Sequence, residues 1–326
     1  MNTIKPLIEV RNLGVSYLNI KVISNIDFTV FKGEVFALVG ESGCGKSTAA
    51  NAILRILPEI ASIDPTSIIT YHKDDLNSLN LLAMDEQVFS REIRWREISM
   101  VFQGALNSLN PVIKIRDHFT ETARAHGIKD RKWILDRARE LLEAVKLDPD
   151  RVLNLYPIEM SGGMKQRTLI ALALLLNPKF VILDEPTTAL DVLIQREIIS
   201  LLKDLKNKFN LTYMLITHDI ALVADIADRI AIMYAGRIVE EADIYDIFYK
   251  PLHPYTQGLL MSVPKLGEFK EEIVTIPGMP PDYRNLPSGC KFHPRCPYAM
   301  DICRKEEPPI IKLDRERRIA CWIHLR

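Results

Sequence analysis

The sequence predicts an α/β protein. It has a mainly parallel core sheet with helices on both faces, an N-terminal antiparallel β subdomain, an inserted α-helical subdomain and a small cysteine-rich C-terminal extension. Three observations predict this. The stretch Gly40 to Thr48, GESGCGKST, follows an apolar run and precedes a helical pattern. Phe180 to Glu185, FVILDE, is an apolar run that ends in two acids. Further apolar runs at Thr212–Ile216 and Arg229–Met233 alternate with helical segments. Such strand–helix alternation builds a parallel sheet covered on both sides.

The elements follow in order. Leu7–Val10 and Val22–Phe28 alternate as strands of an antiparallel sheet do. Glu34–Val39 reads as a buried strand that runs into the glycine-rich loop, and a helix from Ser47 ends near Pro58. Residues from about 60 to 100 form a charged excursion of weak periodicity, closed by a strand at Ile98–Phe102. From about Gly104 to Gln166 the pattern turns helical. Its clearest stretch is Arg131–Lys146, with Ile134, Leu135, Ala138, Leu141, Leu142 and Val145 on one face. A short helix precedes Pro251, and beyond Pro264 the chain is rich in Pro and Cys. Residues 6–250 are expected to form one nucleotide-binding domain with a helical subdomain at roughly 104–167. Residues 251–326 are expected to form an appended module held by something other than a large core.

Composition excludes several classes. With 42 basic and 42 acidic residues, no global field steers the chain to nucleic acid or anionic lipid. The basic run Arg315–Arg318 is interrupted by Glu316 and reads as a solvated face. The apolar run Leu169–Leu176 stops at Asn177-Pro178, far short of the roughly 20 residues a membrane span needs. The opening MNTIKPLIEV lacks the apolar core of a signal peptide. The expectation is a cytosolic chain with reduced thiols.

The loop carries the first chemistry. Gly40, Gly43 and Gly45 allow a tight turn that aims successive N–H groups at phosphate oxygens, and the following helix adds its positive end. Ser42 and Cys44 complete the loop as backbone. Lys46 can reach the β- and γ-phosphates, Ser47 offers a hydroxyl to Mg²⁺, and Thr48 can donate to the α-phosphate. Asp184 is then a Mg²⁺ holder, through water, and Glu185 the group that polarises an attacking water. Read alone, the same pair is a strand ending in a solvated acidic turn. Gln103 and His218 each follow a strand, and ligands of such sheets sit at the carboxyl ends of strands. Gln103 is expected near the metal and water, His218 at the γ-phosphate.

Ser161-Gly-Gly-Met-Lys-Gln-Arg167 adds what phosphate loops alone do not. With it, the chain closely resembles the nucleotide-binding subunits of ATP-binding cassette (ABC) transporters, which are phosphate-loop NTPases. Met160 and Met164-Lys165 depart from the commoner residues, while Ser161, Gly162 and Gly163 keep the phosphate-touching set. Thr188-Ala-Leu-Asp191 is similar to the family's D-loop, which implies Asp191 at a dimer interface, and Tyr17 stands where the family stacks an aromatic on adenine. Val101 to Pro111, the His-Pro-Tyr stretch Pro251–Leu260, Ile276-Pro-Gly, Pro287–Cys290 and Phe292–Pro297 resemble the ATPases of dipeptide and oligopeptide importers. Nickel and oligosaccharide importers belong to the same subfamily.

The resemblance implies two ATP molecules sandwiched in a head-to-tail dimer, with the signature of one subunit capping the γ-phosphate held by the other. The implied partners are two membrane permease subunits, a second, related ATP-binding subunit and, indirectly, an extracytoplasmic solute-binding protein, with no nucleic acid. The implied location is the cytoplasmic face of the membrane. Two rivals remain. One is a soluble cassette ATPase without a transport role; the other is a non-catalytic nucleotide-binding regulator.

Cys290, Cys296, Cys303 and Cys321 are spaced C-x5-C-x6-C-x17-C. Four thiols in a core-poor, cytosolic segment suggest a metal staple. The close pair usual for zinc is absent, and the wide spacing suits an iron–sulfur cluster. The importer resemblance also implies a [4Fe–4S] cluster. Zinc, with His293 or His324, stays open, as do free thiols or a disulfide.

Overall fold

The computed structural model describes residues 5–74, 76–104, 108–262, 276–314 and 317–325. The chain opens with two long strands, β1 (Pro6–Tyr17) and β2 (Ile20–Phe31), paired antiparallel. The wholly buried β3 (Val35–Val39) leads through the glycine-rich loop into α1 (Lys46–Leu54). Arg55 ends that helix in the left-handed region, ahead of Pro58.

The charged excursion is more ordered than its periodicity suggests. It holds β4 (Ala61–Ile63), β5 (Ile68–His72), β6 (Ser78–Asn80) and α2 (Glu86–Glu92). β4 and β5 pair with β1, and β6 with β5. Only Ile69 and Tyr71 of β5 are buried, so these short edge pieces carry little apolar signal. β7 (Ile98–Val101) follows, then α3 (Ile115–Ala125), α4 (Arg131–Ala144), α5 (Pro149–Val152) and α6 (Gly162–Ala173). Of the expected stripe, helix α4 buries Ile134, Ala138, Leu141 and Leu142 and leaves Leu135 half-buried, and Asp130 caps it by accepting from the N–H groups of Lys132 and Trp133.

β8 (Phe180–Asp184), α7 (Val192–Phe209) and β9 (Thr212–Thr217) complete the middle of the chain. Next come α8 (Ile220–Ala224), β10 (Arg229–Tyr234), β11 (Arg237–Asp243), α9 (Ile244–Tyr249) and α10 (Pro254–Met261). The tail adds α11 (Asp301–Lys305), β12 (Ile311–Asp314) and β13 (Arg317–Ile319).

Two units result, one of residues 1–82 with 216–326, the other of residues 83–215. In the first, β3 lies parallel to β10, and β10, β11, β13 and β12 continue antiparallel. The tail is therefore built into a sheet through β11, where the sequence suggests an appendage. Charge fixes the junction. Glu240 and Glu241 are wholly buried on β11. Arg229 pairs with Glu241 and, at 3.1 Å, with Glu34. The tail supplies Arg318 to Glu241 and Arg317 to Glu240, the latter at 3.4 Å. Buried carboxylates need such partners.

In the second unit β7 and β8 run parallel, with Ile98 opposite Phe180 and Val101 opposite Leu183. All nine of their residues are buried, as a parallel sheet covered on both faces requires. Among the described residues, no helix is long and apolar enough to cross a membrane.

Candidate active site

The first unit carries Tyr17, the loop from Gly40 to Thr48, and His218. Gly40 is obligatory because a Cβ there would lie 2.1 Å from the carbonyl oxygen of Met233 on β10. Gly45, at φ 106°, turns the chain into α1 and caps it without a side chain, so no side chain competes for the helix's first N–H groups. Lys46 is buried. Its Nζ donates to the carbonyls of Gly40 (2.7 Å) and Glu41 (3.0 Å) and lies 3.6 Å from Cys44 Sγ. The ammonium is thus held on the inner side of the loop. Cys44 is buried beneath the loop, and burial pushes its thiol upward, so it stays protonated. Ser42 and Gly43 are exposed at the loop tip, while Ser47 and Thr48 are half-buried in the first turn of α1. The Tyr17 hydroxyl sits 3.4 Å from Thr48 Oγ1, which anchors the expected adenine platform to the same turn. His218 is exposed directly after β9.

The second unit carries Gln103, Ser161, Gly162, Gly163, Asp184, Glu185 and Asp191. Parallel β7 and β8 end side by side, so the residues after them share one edge. Asp184 is the buried last residue of β8. Glu185 takes the left-handed region at φ 47°, a conformation that a non-glycine residue adopts at a cost. Its Oε2 accepts from Gln103 Nε2 at 3.2 Å and from Thr188 Oγ1 at 2.8 Å. An amide and a hydroxyl on one oxygen orient the carboxylate. The role of Thr188 escapes the sequence reading; its signal is its place three residues after Glu185, where its N–H also donates to the Glu185 carbonyl (3.2 Å).

Ser161 caps α6, accepting from Met164 N at 3.3 Å, and is exposed. Gly162 and Gly163 lie against the start of α7, where added Cβ atoms would come within 3.2 Å of Leu190 and 3.1 Å of Ile194. Asp191 caps α7 through Ile194 N at 3.0 Å. The signature and the D-loop are therefore one packed corner. Residues 105–107 of the stretch after Gln103, and residues 315–316 of the basic run, lie outside the described residues.

The four tail cysteines line one small cavity with His253, Phe292 and Trp322 among its walls. Burial pushes the thiols of Cys290 and Cys321 up to about 11, and the neighbouring cysteines add to the rise. None is in a disulfide. Among the described residues, no group of His, Cys, Asp and Glu closes around a single metal ion. One ring nitrogen of His293 meets Cys290 O at 2.9 Å, and one of His324 meets Leu252 O at 3.2 Å, bonds that orient each ring and leave its other nitrogen available as a ligand. His253 caps α10 through Tyr255 N and is buried, which lowers its pKa to about 3 and keeps the ring neutral. The His-Pro-Tyr motif is thus first a helix start.

Known proteins resemble this chain along most of its length. Residues 23–188 match the ABC transporter family, and residues 239–303 match the oligopeptide/dipeptide transporter C-terminal region. The dipeptide transport ATP-binding protein DppD of Caldanaerobacter subterraneus subsp. tengcongensis is 46% identical, over 98% of this chain and 97% of that protein. The oligopeptide transport ATP-binding protein OppD of Bacillus subtilis is 42% identical, over 99% and 90%. Among solved structures, the dimeric ABC transporter cassette MJ0796 aligns with a TM-score of 0.62 at 26% identity, covering 73% of this chain and 99% of that one. Its post-hydrolysis dimer bound to ADP and Pi aligns at 0.61 and 27%, with the same coverage.

Proposed function

Because the chain belongs to the ABC transporter family, we propose that it is the ATP-hydrolysing subunit of a membrane importer for peptides or related solutes. The match of its tail to the oligopeptide/dipeptide region, and relatives named for dipeptide and oligopeptide transport, support the solute class. The observation that carries the catalytic reading is the Glu185 carboxylate, oriented by Gln103 and Thr188 at the end of β8.

Each residue then has a task. Tyr17 stacks on adenine. The loop amides of Gly40, Ser42, Gly43, Cys44 and Gly45, with Lys46 and Thr48, hold the phosphates. Mg²⁺, when bound with ATP, neutralises charge on the β- and γ-oxygens. Ser47, Asp184 and Gln103 supply the hydroxyl, carboxylate and amide oxygens suited to that ion. Glu185 polarises water for attack on the γ-phosphorus, and His218 stabilises the charge that develops there. Ser161, Gly162 and Gly163 cap the γ-phosphate bound by the facing subunit, with Asp191 at that interface. Two ATP molecules joining head-to-tail subunits make closure depend on nucleotide. The facing subunit is a related ATPase, the working partners are two permease subunits, and the place of work is the cytoplasmic face of the membrane.

The Glu185→Gln variant, assembled with its partner subunits, is expected to lose turnover by about 100-fold or more and to accumulate an ATP-bound dimer. Hydrolysis at the wild-type rate would refute the assignment. The four cysteines are assigned to a [4Fe–4S] cluster. Four thiols lining one cavity, at a sequence spacing wider than zinc sites use, support that reading. Anaerobic protein should then be brown, with iron lost on Cys303→Ser; colourless protein with stoichiometric zinc would reverse this.

A further inference from the structure

The motif Phe292-His-Pro-Arg295-Cys-Pro has no task in the scheme above beyond its cysteine. Its arginine is buried and reaches the phosphate loop. Arg295 Nη1 and Nη2 donate to the two carboxylate oxygens of Glu41 at 2.7 and 2.9 Å. This is the two-pronged geometry that makes Arg–carboxylate pairs both strong and directional. The guanidinium is itself locked. Its Nε donates to Pro277 O at 2.8 Å, Nη1 lies 3.4 Å from the Tyr234 hydroxyl, and its carbon stands 5.8 Å from the centre of the Tyr234 ring.

Glu41 is the second residue of the loop, and all its polar groups are held. Its N–H donates to the Tyr255 hydroxyl at 2.9 Å. Its carbonyl accepts from Lys46 Nζ at 3.0 Å and from Cys44 N at 3.3 Å. The cation meant for phosphate therefore rests on a residue that the tail grips by side chain and by backbone. Tyr255 is braced in turn, with ring centres 4.7 Å from Tyr234 and 5.3 Å from Phe292, and those two 5.2 Å apart. The brace is a rigid aromatic block.

We propose that Arg295 and Tyr255 are positioning residues for ATP binding, a strut by which the C-terminal tail fixes the phosphate loop through Glu41. Neither touches nucleotide. They act by holding the loop in its phosphate-ready path, so that ATP does not bear the entropic cost of ordering it. The strut explains why a tail outside the cassette motifs carries an arginine and a tyrosine aimed at the loop. It rests on the ATP-binding reading proposed above.

The test uses the full chain and a fluorescent ATP analogue with Mg²⁺. Arg295→Ala should weaken binding about tenfold, and Arg295→Lys, which keeps charge but not the fork, should recover part of that loss. Tyr255→Phe, which removes one hydroxyl, should weaken it about threefold. Glu41→Gln should weaken binding alone, and combining it with Arg295→Ala should add little, because both break one contact. Thermal unfolding of each variant without nucleotide separates loop positioning from general damage. Unchanged affinity in folded Arg295→Ala and Tyr255→Phe, or additive losses in the double variant, would overturn the strut while leaving ATP binding intact. A wild-type chain indifferent to the analogue, and to Lys46→Ala, would overturn the strut and the ATP reading together.

Discussion

The phosphate loop and the tail solve the same problem, holding backbone in an unusual path, by opposite means. The loop does it with contiguous residues. Gly45 takes φ 106°, and Lys46 folds back on its own loop's carbonyls. The tail does it with partners far away in the chain. Arg295 meets Glu41 across 254 positions, and Arg318 meets Asp27 O, at 3.0 Å, across 291. Local solutions form without a second part of the chain, although Glu41 of the loop also receives the remote Arg295. Remote ones make the tail and the core depend on each other, and they set tail arginines against the wholly buried Glu240 and Glu241.

That difference can be pressed hardest at the buried charges on β11. Arg229 serves both Glu34 and Glu241 and also donates to Thr29 O at 3.0 Å. Arg229→Met should cost about 3–5 kcal/mol of unfolding free energy, since it leaves buried carboxylates short of their cation. Arg318→Met should cost less, about 1–2 kcal/mol, because Glu241 keeps Arg229 while only the Arg318 bonds to Glu241 and Asp27 O are lost. Urea unfolding measures both. Equal losses would mean that the tail's arginine is as deeply integrated as the core's; no loss at Arg318 would make the tail the appendage its sequence suggests.

The same contrast explains what was legible in the sequence. The loop, the acid pair at Asp184-Glu185 and the signature at Ser161 are contiguous, and the strand and helix patterns around them fix their context. β3 and β8 stand close to their expected limits because full burial gives an unbroken apolar run, and α4 because one buried face gives a helical period. β4 and β6 left no such imprint, having no fully buried residue. β12 and β13 were hidden for the same reason, with Ile319 alone fully buried. Thr188 on Glu185 and Arg295 on Glu41 are side-chain contacts that no periodicity encodes. Composition identified the cysteines as a set, and only the fold brings them to one cavity.

In the function proposed above, the loop lysine and the signature serine serve one hydrolytic event from facing subunits. The most direct measurement is ATP turnover by the complete assembly, purified from membranes, with Lys46→Ala or Ser161→Ala introduced singly into this chain. Each should reduce turnover at the site it helps to form by about 100-fold or more. Wild-type turnover in both variants would contradict the account at its root.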